Sequence, residues 1–186
     1  MPVRIADQIM TAKQLYAGTT TFLFLLNHDG HFASLKAELF PSPDTCLKLE
    51  RKNSSTPYSL VDYGPLVENL RNNPQFNLDY LGLLLQAMVI QIGDALQRND
   101  YFDKTPELEF YRHLRNALGH GNVFYFSRGE PRRLASFKGR TLTNSLHGSS
   151  GFFNFMAPGD VFELWDYLEK YLRALAPMPD TSLGHY

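Results

Sequence analysis

Apolar residues recur at helical spacing over much of the chain. Residues 3 to 16 place Ile5, Ile9, Ala12 and Tyr16 on one side, with Arg4, Gln8 and Lys13 elsewhere, the pattern of an amphipathic helix. TTTFLFLL, 19 to 26, fits either an extension of that helix or a β-strand, and NHDG, 27 to 30, is a turn in both cases. HFASLKAELF, 31 to 40, alternates apolar and polar residues, yet Phe32, Leu35 and Leu39 also share a helix face, and we read it as helical. Pro41 to Pro57, with three prolines and the charged run Lys48 to Lys52, reads as a long surface loop. A short helix over Leu66 to Asn72 follows Gly64 and Pro65. LDYLGLLLQAMVIQIGDALQR, 78 to 98, is apolar on nearly every side and is expected in the middle of the core.

Thr105, Pro106 and Glu107 form a helix start: a hydroxyl N-cap, proline in the first turn, and an acid at the positive end of the dipole. That helix, about 105 to 120, carries Leu108, Tyr111, Leu114 and Leu118 and stops at Gly119 and Gly121, which puts His120 at its terminus. Residues 122 to 145 have aromatic and β-branched residues around the RGEP and KGR turns, a small β-hairpin or meander, and GSSG, 148 to 151, is a flexible turn. A closing helix, about 160 to 176, begins with a capping-box-like Asp160 and Glu163 and lines up Phe162, Trp165, Leu168 and Leu172. The fold class is therefore mainly α with a small β insertion, one domain over 1–176 and a flexible tail over 177–186.

Composition narrows the function classes. The 186 residues are 44% hydrophobic and 20% charged, with net charge -1, which gives no sign of a wholesale nucleic-acid or membrane-surface binder. Cys46 is alone, so no internal disulfide forms. Asp7 and Gln8 interrupt what a secretory signal would need as an apolar run, and Leu81 to Ile92 spans only twelve residues, with Gln86 and Gln91 inside it. The expectation is a cytoplasmic protein with no membrane partner.

Charge is concentrated locally. Residues 112 to 140 hold Arg112, Arg115, Arg128, Arg132, Arg133, Lys138 and Arg140 against the single acid Glu130, a local +6 that leaves -7 on the rest. Phe124, Tyr125, Phe126 and Phe137 are interleaved with them. Cations neutralise phosphates and aromatic rings stack on unpaired bases, so the strip suits single-stranded nucleic acid. The competing reading is a solvated hairpin with its arginines in water and its rings in the core.

Within the helix that feeds this strip, Asn116 and His120 are four residues apart and share a face, Arg112 lies one turn earlier on it, and Arg115 is offset but within reach of a common cleft. The hexapeptide RNALGH, Arg115 to His120, resembles the signature of the HEPN superfamily, in which an arginine, commonly followed by a polar residue, precedes a histidine near a helix end in a small helical bundle. The resemblance covers about residues 66 to 176. It implies a HEPN-like bundle and a metal-independent endoribonuclease without cofactor, possible as a toxin or antiviral effector under an antitoxin or regulatory partner. Arg115, Asn116 and His120 would be catalytic, and Asp94 would orient the arginine from a neighbouring helix. Arg112, Arg128, Arg132, Arg133, Lys138 and Arg140 would contact RNA. The resemblance also implies a two-fold homodimer whose two motifs share one cleft. A non-catalytic HEPN-like module that binds RNA, a nucleotide or a protein is the alternative.

The chemistry is self-consistent. RNA carries its own nucleophile in the 2′-hydroxyl, a histidine can move protons near neutral pH, and an arginine can hold a phosphate and meet charge growing on its oxygens. Other clusters read as structure. His28, Asp29 and His31 sit at a turn without a partner cluster, His113 and His147 lack fixed partners, and Ser149 and Ser150 lack a nucleophile-elbow context.

Overall fold

A computed structural model describes residues 1–27, 38, 47–52, 54–60, 63–127, 129–152 and 154–175. The expected turn at 28 to 30, almost all of the helical reading of 31 to 40, and the tail from 177 lie outside these residues. The described chain is mainly helical: α1 (Pro2–Leu26), a hairpin of β1 (Leu47–Arg51) and β2 (Ser54–Leu60), α2 (Tyr63–Asn72), α3 (Pro74–Gln97), α4 (Pro106–Gly119), a minimal hairpin of β3 (Ser136–Phe137) and β4 (Arg140–Thr141), and α5 (Pro158–Ala174). It divides into two compact units, residues 1–15 with 84–186, and residues 16–83. Length and composition suggest one domain over 1–176, and both unit boundaries fall inside continuous helices, α1 and α3, where no linker composition marks them.

In the 16–83 unit, Leu23, Leu26 and Leu70 form a small core against Phe76 and Leu81. TTTFLFLL continues α1 as a helix, and α3 starts at an Asn73 N-cap whose Oδ1 accepts the Phe76 N–H at 3.1 Å, with Pro74 as the first helical residue. The stretch expected as a loop instead contains β1 and β2, paired antiparallel with Leu47 opposite Leu60 and Leu49 opposite Tyr58. Pro57 had argued against a strand. It falls where the register shifts between Leu49 and Arg51, so the ladder does not call on the amide proton it lacks.

The larger unit is built around α4. Leu108, Phe110, Tyr111 and Leu114 are fully buried, and α5 contributes Val161, Leu164, Trp165, Leu168 and Leu172. Phe162, expected on that apolar face, is only half-buried, its ring 5.5 Å from Trp165. The Tyr111 hydroxyl joins three helices, donating to the Val89 carbonyl at 3.1 Å and accepting from Trp165 Nε1 at 2.9 Å. Burial pushes its ionisation far above the ordinary tyrosine range, against the smaller opposing pull of the Trp165 N–H, so it remains a hydroxyl. Across the surface, Lys13 of α1 meets Asp166 at 2.6 Å and Glu169 at 3.0 Å, and Arg173 meets Asp7 at 3.0 Å.

The helix expected at the centre, α3, is more open than its composition suggests. Leu85, Val89, Ile92 and Leu96 are buried, but Leu78 and Leu83 are more than half exposed. By length and composition alone α3 could cross a membrane: its most apolar 18 residues have a mean hydropathy of 1.3, and 33% of them are buried. Central position belongs to α4, where apolar residues are fewer but fall on one stripe.

Helix starts also differ in detail from the expected pattern. Thr105 caps α4 as anticipated, its Oγ1 accepting the Leu108 N–H at 3.3 Å. In α5 the cap is shifted upstream: Asp160 sits at the third helical position and its Oδ2 accepts the Ala157 N–H at 2.8 Å, while Glu163 pairs with Lys138. The expected meander shrinks to two residue pairs around Lys138 and Gly139, both with positive φ, the two-residue turn whose twist suits a hairpin.

Tyr111→Phe is expected to lower stability by about 1–3 kcal/mol, because the buried Trp165 N–H loses its acceptor; urea denaturation of the two proteins measures the difference.

Candidate functional site

The motif helix ends in a defined cap. The His120 N–H donates to the Asn116 carbonyl at 3.0 Å and the Ala117 carbonyl at 3.2 Å, and the Val123 N–H returns to the Ala117 carbonyl at 3.1 Å. Gly121 adopts φ +78, the left-handed conformation that ends a helix, whereas Gly119 remains within the helix. One of the two expected stop signals therefore ends the helix. The His120 imidazole is exposed to solvent and makes no hydrogen bond among the described residues.

Arg115 is held from two sides. Its Nε donates to Asp94 Oδ1 of α3 at 2.9 Å, its Nη2 donates to the same oxygen, and its Nη1 donates to Asn116 Oδ1 at 3.1 Å. Asp94, on the neighbouring helix α3, thus holds the Arg115 guanidinium by two of its donors. A guanidinium has five N–H donors. These three contacts fix its plane and leave two for a ligand. Its side chain is 27% exposed and that of Asp94 40%, so the pair opens to water. The approach of α3 to α4 that permits this depends on Gly93. A Cβ there would meet Arg115 Cγ at 2.5 Å and Cβ at 2.9 Å. An isolated glycine in a long apolar helix is the sequence signal for such an approach.

The basic strip is mostly engaged internally. Arg112 makes a two-pronged bond to Glu109, Nε to Oε2 at 3.0 Å and Nη2 to Oε1 at 2.7 Å, and lies 3.6 Å from Glu130. Arg133 pairs with Asp103 at 3.2 Å, Lys138 with Glu163 at 2.9 Å and Arg140 with Asp160 at 2.8 Å. Among the described residues of the strip, Arg132 is the exposed cation without an acidic partner; Arg128 lies outside them, as do His28, Asp29 and His31. Phe124, Phe126 and Phe137 are buried, which is the hairpin-in-the-core arrangement for those rings, while Tyr125 is exposed.

Two histidines read as partnerless have fixed surroundings. His113 is buried beside the buried Glu109, its Nε2 3.3 Å from Glu109 Oε1 and 2.9 Å from Arg112 Nη2, with its ring 5.2 Å from Phe126. His147 accepts the Phe126 N–H on Nδ1 at 3.1 Å and lies against Tyr125. Glu109 and Arg112 are helical neighbours of His113, four and one residues before it, whereas its Phe126 contact and both His147 contacts join stretches far apart in sequence that no local pattern could reveal. The GSSG turn is likewise pinned. Asn122 Nδ2 donates to Ser150 Oγ at 3.1 Å, and its Oδ1 accepts the Phe152 N–H at 2.6 Å. A Cβ on Gly151 would meet Ala117 at 3.3 Å and Phe124 at 3.4 Å.

Comparison with protein-family models, with curated proteins and with solved structures gives no match, so the functional reading rests on the residues themselves.

Gly93→Ala is expected to displace the Arg115 stem and to cost about 1–3 kcal/mol by overpacking, read as a lower urea midpoint. Burial, together with the adjacent Arg112 guanidinium, pushes the His113 imidazole below its ordinary range against the opposing pull of Glu109 and Glu130. An unfolded chain takes up this proton near about pH 6.5 while the folded one refuses it, so stability is lost as pH falls through that value and is unaffected well above it. Wild type should therefore lose more stability than His113→Gln between about pH 7.5 and about pH 5.5, measured by parallel denaturation series.

Proposed function

We propose that the chain is a metal-independent endoribonuclease of the HEPN type. The observation that carries this reading is the arrangement at the end of α4: Arg115 fixed by Asp94 and Asn116 with donors to spare, and five residues later a solvent-facing His120 whose backbone is capped and whose ring is uncommitted. On this reading the RNA 2′-oxygen attacks the adjacent phosphorus, the P–O5′ bond breaks, a base takes the 2′-hydroxyl proton and an acid returns one to the 5′-oxygen. The products are a 2′,3′-cyclic phosphate and a 5′-hydroxyl. Arg115 grips the phosphate oxygens and His120 transfers protons.

Two proton transfers on opposite sides of one phosphate call for two groups. A two-fold homodimer supplies a second His120 and Arg115 to one composite cleft, in the commonest oligomeric arrangement. The role fits a cytoplasmic toxin or antiviral effector restrained by an antitoxin or another regulatory partner.

A second reading is favoured by one specific observation. Asp94 already balances the charge of Arg115, and Arg112, Arg133, Lys138 and Arg140 are likewise paired, so the same cleft also suits a module that binds RNA or a nucleotide without cutting it.

Single-turnover incubation of a structured RNA with the pure protein in excess chelator separates these readings. Cleavage to cyclic-phosphate ends that falls about 10²- to 10⁴-fold in His120→Ala, with RNA affinity retained, supports the nuclease; binding without cleavage in wild type supports the module; neither binding nor cleavage removes both.

A further inference from the structure

The segment that leaves the motif helix alternates in burial. Phe124 and Phe126 are buried at 1% and 5% exposure, and Tyr125 between them is 70% exposed. Alternation of this kind is the extended-chain period of two, and it aims Tyr125 away from the core. The ring is backed on one side. Its centroid lies 4.9 Å from that of the His147 imidazole, at an interplanar angle of 48°. That imidazole is itself held, because Nδ1 accepts the Phe126 N–H at 3.1 Å. The backbone beneath is laddered to the same stretch, with the Phe124 N–H donating to the Ser149 carbonyl at 2.9 Å and the Gly148 N–H donating to the Phe124 carbonyl at 2.8 Å.

An aromatic ring supported in this way and open on its outer side is suited to a planar partner. A single ring is too small to be a protein-docking patch, whereas it matches the face of one nucleobase, and base–aromatic stacking tolerates any base because every base has a π-face. We propose that Tyr125, backed by His147, is a stacking platform for one unpaired nucleobase of an RNA strand bound at Arg115 and His120. This rests on the RNA reading above and adds to it a subsite outside the reacting phosphate. Five residues separate Tyr125 from His120, which limits their Cα atoms to about 17 Å even for a fully extended chain, a span that a short single strand can bridge.

The platform is tested by fluorescence anisotropy in a His120→Ala background, so that the strand survives. The probes are a short oligouridylate and an abasic ribose-phosphate strand of the same length. Tyr125→Ala should weaken oligouridylate binding roughly 5- to 150-fold, the range expected from stacking one base, and leave abasic binding unchanged, whereas Tyr125→Phe keeps the ring and the affinity. Equal affinity in Tyr125→Ala, or an equal loss on both strands, overturns the platform. Cleavage of a dinucleotide by otherwise wild-type Tyr125→Ala is read in parallel. Cleavage with unchanged oligouridylate affinity removes the platform alone, and a wild-type chain that neither binds nor cuts RNA removes the underlying reading with it.

Discussion

The site depends on how closely α3 can approach α4 at Gly93. With no side chain at that position, the stem of Arg115 lies directly over the α3 backbone, and the guanidinium reaches Asp94 one residue further along the same helix. One turn away, Tyr111 uses its hydroxyl to tie α3 to α5 through Val89 and Trp165. An arginine at this point would otherwise be a long, freely rotating surface side chain. The contact turns it into a fixed fork by fastening three donors and leaving two, and fixing donors before a ligand arrives removes an ordering cost from binding.

Elements with their own local signals were legible in the sequence. Thr105, Pro106 and Glu107 announce α4, and its apolar stripe marks the buried face, because caps and periodicity act over a few residues. The β1–β2 hairpin was not legible, since prolines and charges argued for a loop, and only the pairing register shows that Pro57 escapes the ladder. The prominence of α3 was overestimated for a related reason. Apolar composition records what a helix can bury, not how much partner surface the fold supplies. The residues of the candidate site rest on a six-residue pattern, and the candidacy of Asp94 on the resemblance; the surroundings of His147 and Asn122, and the Phe126 ring beside His113, come from stretches brought together only by folding.

The loop region after the motif is firmer than its glycines suggested. Asn122, itself in a positive-φ conformation, uses both ends of its amide to bind Ser150 and Phe152, and so closes a long excursion of chain back onto the start of the segment. The Glu109, Arg112, His113 and Glu130 cluster fastens Glu130 to α4, and Glu130 in turn accepts from the Ser127 backbone and hydroxyl. Polar groups buried in this way stabilise only while all partners are present, which makes the exit from α4 a cooperative piece rather than a loose tail on a helix.

The internal pairing of the basic strip has a thermodynamic corollary for any polyanion that binds there. Each phosphate approaching Arg112, Arg133, Lys138 or Arg140 competes with a carboxylate already in place. Few condensed counter-ions are then released per bound strand, so affinity would depend only shallowly on ionic strength. Recognition on such a surface is governed by shape and by planar contacts more than by long-range attraction, and the near-neutral charge of the whole chain is consistent with that balance.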